Sequence, residues 1–62
     1  MFELTVKTHD DVNGKNGEER LLFMDRETAR AHALLYLQCE DVYCVEIVSA
    51  HTGELLFYEM KS

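Results

Sequence analysis

The chain opens on strict alternation: Phe2-Glu3-Leu4-Thr5-Val6-Lys7 places an apolar residue at every second position. A period of two marks a strand with one buried face, here Phe2, Leu4 and Val6. From Thr8 to Glu19 the chain is mostly polar and carries Asn13-Gly14 and Asn16-Gly17. Asn-Gly supplies the positive φ values of a tight hairpin turn, and two such pairs allow two registers, so a mobile loop is expected. Arg20-Leu21-Leu22-Phe23-Met24 follows, apolar at successive positions. That is the pattern of a covered or central strand.

Asp25 then has the character of a helix N-cap, with a carboxylate that can accept from an orphan N–H of the first turn. Met24 before it is placed to pack on Ala29 as a hydrophobic staple. The helix is expected to run to about Cys39, since Ala, Leu, Arg and Glu are strong formers and no Gly or Pro interrupts them. Ala29, Ala33, Tyr36 and Leu37 fall on one stripe, with Leu34 and Leu35 on either side of it. Alanines in such a stripe mark the closest approach to a sheet. Val42 to Ala50 is rich in β-branched residues and predicts a third strand. His51-Thr52-Gly53-Glu54 predicts a turn, and Leu55 to Met60 a fourth strand closing a hairpin. The expected fold is therefore α+β, in the order β-β-α-β-β. It has a four-stranded, largely antiparallel sheet with one helix on one face, in a single domain over residues 1–62.

One helix covers one face of such a sheet. In the third strand Tyr43, Val45 and Ile47 alternate with Val42, Cys44, Glu46 and Val48. In the fourth, Leu55 and Phe57 alternate with Leu56, Tyr58 and Met60. Whichever set meets the helix, the other keeps apolar side chains, so a second copy or another protein is expected on the far face. Size argues the same way. A chain of 62 residues buries only about 60% of the surface its unfolded form exposes. A homodimer through the open face or an edge strand answers both demands.

Charge narrows the classes of partner. Twelve Asp+Glu against six Lys+Arg give a formal charge of −6. Lys7, Lys15, Arg20, Arg26, Arg30 and Lys61 are scattered along the sequence, which disfavours nucleic acid. No apolar run is long enough to span a membrane, and the first residues have no signal-peptide pattern, so the default expectation is a cytoplasmic chain. The two cysteines, Cys39 and Cys44, stand too close for a disulfide to add much and are expected to be reduced thiols.

Candidate chemistry is sparse. His9-Asp10-Asp11, with Glu18 or Glu19 across the hairpin, has the ligand types for a divalent cation but no spacing motif. His32, Cys39, Cys44 and His51 lack the spacing of a zinc site. Cys39 is followed by Glu40 and Asp41, which oppose a thiolate, and Cys44 lies inside a strand. Asn13-Gly14-Lys15-Asn16-Gly17 has no helix after it to hold phosphate. Neither catalysis, nor a cofactor, nor a metal is expected. Glu40-Asp41 sits at the negative end of the helix, where anions are unfavourable, and such a broken local rule can mark function.

The leading expectation is a small acidic protein-interaction module, an accessory or inhibitory protein of the kind a bacterium or phage encodes. It would capture another protein, with a basic one suiting the acidic residues, through Glu40, Asp41, Tyr43, Glu46 and Tyr58. The alternative is a small-ligand or metal-binding module built on His9, Asp10 and Asp11.

Overall fold

The computed structural model describes residues 1–10 and 15–61. It contains β1 (Phe2–Asp10), β2 (Lys15–Phe23), α1 (Arg26–Tyr36), β3 (Val42–Ser49) and β4 (Leu55–Met60). The strands form one antiparallel sheet in the order β2-β1-β3-β4, and α1 packs on one face of it. The α+β class and the β-β-α-β-β order expected from the pattern are those of the protein.

The core forms where the apolar stripe of α1 meets alternate residues of β1 and β3. Leu4, Val6, Ala29, Ala33, Val42, Val45 and Ile47 are buried together, with Phe2, Leu21, Phe23, Tyr36, Leu37 and Phe57 packed around them. Ala29 and Ala33 have no exposed area; a methyl side chain lets the helix backbone come close to the sheet.

Two irregularities set which side chains join that core. The β1–β3 register shifts between Lys7 and Thr8, and the β3–β4 register shifts between Ile47 and Val48. An extra residue in one strand changes the phase of its alternation. The first shift brings Val42 into the core beside Val45 and Ile47, although strict alternation would set Val42 on the opposite face. The second pairs Leu55 with Val48, while Phe57 pairs with core residue Ile47. The apolar sets are thus not divided between the faces as strict alternation suggests.

Other local expectations need correction. The stretch Thr8–Glu19 is not a long loop: β1 continues to Asp10 and β2 begins at Lys15, with Asn16 paired to His9 and Gly17 to Thr8. The second Asn-Gly therefore lies in a strand, and the first, Asn13-Gly14, lies outside the described residues. Backbone pairing carries the hairpin on after the apolar pattern ends. Nor is β2 central. It is an edge strand, and Leu22, on the face away from the helix, is 61% exposed. The helix is shorter than expected, because its last turns tighten: Gln38 N–H donates to Leu35 O and Cys39 N–H to Tyr36 O, i→i−3 bonds of 3₁₀ type. Lys61 Nζ donates to Cys39 O at 2.8 Å, placing a cation near this negative end.

At the helix start Asp25 caps as expected. Its carboxylate accepts from Thr28 N–H at 3.2 Å and from the Thr28 hydroxyl at 2.9 Å. Met24 makes no staple and is 85% exposed. Asp25→Ala is expected to cost about 1 kcal/mol, read as a lower urea midpoint with an unchanged slope. At the β3–β4 turn Gly53 has φ 78°, the left-handed region that glycine enters without penalty.

Candidate protein-binding surface

Cross-strand partners share a face, so the registers define the side of the sheet opposite α1 row by row. Leu22, Glu3, Val48 and Leu55 lie across it at one end. Arg20, Thr5, Glu46 and Tyr58 form the next row, and Glu18, Lys7, Cys44 and Met60 the third. Beyond these, the His9 ring stacks on Tyr43 with centroids 4.2 Å apart.

This face is mixed, not uniformly apolar. Lys7 Nζ lies 3.8 Å from the Glu46 carboxylate, and an Arg20 guanidinium nitrogen 3.4 Å from the Glu18 carboxylate. Apolar area is concentrated along the β4 side, where Leu55, Tyr58 and Met60 are about half exposed. Thr5 and Cys44 are buried although no helix lies over them; they sit between longer side chains in their rows. The neighbouring Cys44 sulfur, which favours the protonated phenol, and some desolvation raise the Tyr58 pKa above the usual 10.0. Tyr58 is therefore a neutral donor and acceptor throughout the physiological range.

Of the five residues expected to meet a partner, Glu46 and Tyr58 are direct cross-strand neighbours on this face. Tyr43 belongs to the same region through its stack with His9. Glu40 and Asp41 are exposed in the turn before β3. That turn is tied to the same end of the sheet, because His9 N–H donates to Asp41 O at 2.7 Å. The five thus outline the open face and one of its ends, with Lys7 already paired to Glu46.

The cation reading has less to stand on. Asp11 and the side chain of Asp10 lie outside the described residues, and the His9 ring is stacked on Tyr43. Among the described residues no group of three or more His, Cys, Asp or Glu could hold a metal ion. Cys39 and Cys44 are free thiols, one exposed and one buried. Among the described residues, no helix is long and apolar enough to cross a membrane.

Pattern reading missed a second surface. A groove of about 500 Å³ runs between the first half of α1 and β4, lined by Arg26, Glu27, Arg30, Ile47, Leu56 and Phe57. The Arg30 guanidinium stands 5.7 Å from the centre of the Phe57 ring, within cation–π range. The cations are therefore not all scattered, since two converge on one rim. A signal existed in the sequence: Arg26 opens the helix, at the end where the macrodipole disfavours positive charge.

The chain matches no protein-family model, no curated protein and no solved structure.

Proposed function

We propose that the protein acts by binding another protein of basic character, without catalysis, through the open face of its sheet and the acidic turn beside it. The observation that carries this reading is the placement of Tyr43, Glu46 and Tyr58 on one uncovered face, with Glu40 and Asp41 held at its end by the His9–Asp41 backbone bond. A broad β surface with aromatic and carboxylate groups suits a protein partner better than a small ligand, which favours concavity. Tyrosine supplies rigid contact area together with a polar hydroxyl, and the carboxylates steer a cationic partner by long-range attraction.

The test is charge reversal. In low salt, Glu40→Lys combined with Asp41→Lys is expected to weaken capture of basic proteins by the immobilised chain about tenfold, as encounter rates fall. Ala31→Lys, exposed in the middle of α1, is expected to leave capture unchanged. Capture that is indifferent to the double reversal and to salt would remove the acidic turn from the binding surface.

A further inference from the structure

The two edges of the sheet are built differently. The edge strand β2 reads Lys-Asn-Gly-Glu-Glu-Arg-Leu-Leu-Phe, with four charges in nine residues. The other edge, β4, reads Leu-Leu-Phe-Tyr-Glu-Met, with one charge in six. Charged side chains and proline normally protect an edge from pairing with another chain; β4 has one carboxylate and no proline.

Both sides of β4 are also unfinished. On the open face Leu55, Tyr58 and Met60 remain substantially exposed. On the helix face Leu56 and Phe57 floor the groove beneath Arg26 and Arg30. Among the described residues, neither arginine is in an ion pair.

We infer that β4 is the seam of a homodimer, pairing antiparallel with β4 of a second copy to make a continuous eight-stranded sheet. The occupant is argued from self-complementarity. Phe57 pairs with Ile47, and Glu59 with Val45; both partners are core residues, so Phe57 and Glu59 share the helix face. A two-fold axis at Tyr58 sets Phe57 of each chain opposite Glu59 of the other. The Glu59 carboxylate then enters the groove beside Phe57, under the Arg30 guanidinium already poised there. A register one pair further along would set Glu59 against its own symmetry mate, which like-charge repulsion opposes. Two Arg30–Glu59 pairs, one on each side of the axis, thus select both the partner and the register. The interface is isologous and closes on itself.

Sedimentation equilibrium on the full chain is expected to show twice the chain mass, with dissociation on dilution. Glu59→Arg alone sets two arginines together at each groove, and Arg30→Glu alone sets two glutamates there. Each is expected to weaken the dimer about tenfold or more. Mixing the two variants restores opposite charges at both grooves and is expected to recover the dimer as a heterodimer. Both side chains are on the surface, and circular dichroism checks that each variant is folded. Backbone hydrogen exchange of the unaltered chain supplies an independent readout, with protection of Leu55–Met60 expected to rise with concentration. A monomer at every concentration would overturn the proposal. So would a dimer indifferent to both charge changes, a mixture of folded variants that fails to recover it, or concentration-dependent protection confined to β2.

Discussion

Leu4→Ala is expected to cost about 3 kcal/mol and to bring the protein close to unfolding at room temperature. Leu4 is completely buried in β1, between Leu21 on one side and Ile47 on the other. Removing its branched end takes away transfer free energy and leaves a space. The neighbours cannot readily fill that space, because β1 is held by strands on both sides. The effect is large because the total is small: at roughly 0.05–0.15 kcal/mol per residue, a chain of 62 residues has about 3–9 kcal/mol in all. Urea denaturation at fixed protein concentration is the measurement, since association would move the midpoint. A loss below about 1 kcal/mol would mean that β1 is not at the centre of the core.

Ala33→Leu is expected to be destabilising from the opposite direction, by about 2 kcal/mol. Ala33 has no exposed area at the contact between α1 and the sheet. A larger side chain there must lift the helix or force a strained rotamer, although leucine is a good helix former. Leu35 supplies the contrast. It lies on the same helix but is 60% exposed, and Leu35→Ala is expected to change stability by no more than about 0.5 kcal/mol. Thermal unfolding of the two variants side by side separates the effect of contact from that of helix propensity. Equal melting temperatures would contradict the close approach of α1 at Ala33.

The two proposed surfaces meet at Tyr58, which lies on the open face and at the two-fold axis, but their charged groups are separate. Partner capture depends on Glu40 and Asp41 at the end of the open face. Self-association depends on Arg30 and Glu59 on the helix side of β4. Reversal at one pair is expected to leave the other activity in place, so the two charge-reversal tests distinguish the proposals.

Much of the fold was legible because local periodicity and local chemistry agree. Phe2-Leu4-Val6 marked the inner face of β1. The spacing of Ala29, Ala33, Tyr36 and Leu37 marked the buried stripe of α1. Asp25 marked the helix start, and Gly53 the last turn. The candidate binding residues were less legible, because sharing a face across strands is a matter of register. Glu46 and Tyr58 are twelve positions apart in the sequence and become neighbours only through the β3–β4 pairing. The Arg26–Arg30 groove had no trace in the periodicity, and Arg26 at the positive end of the helix was its one local signal. Its apolar floor comes from β4 and its cationic rim from α1, two elements that no local period relates.

Alternation, the alanine stripe and the capping chemistry specify the four strands, the helix and their order along the chain, because each reports contacts within a few residues. Strand order is decided by non-local pairing, in which β1 takes the interior beside β3 and leaves β2 and β4 at the edges. The register shifts at Lys7/Thr8 and Ile47/Val48 then assign Val42 and Leu55 to faces that counting by twos gets wrong. Geometry decides the rest. A helix about 10 Å across cannot blanket four strands spaced roughly 4.8 Å apart, so the strand farthest from its axis is left partly bare. Here that strand is β4, and its incomplete cover creates the groove and the exposed edge.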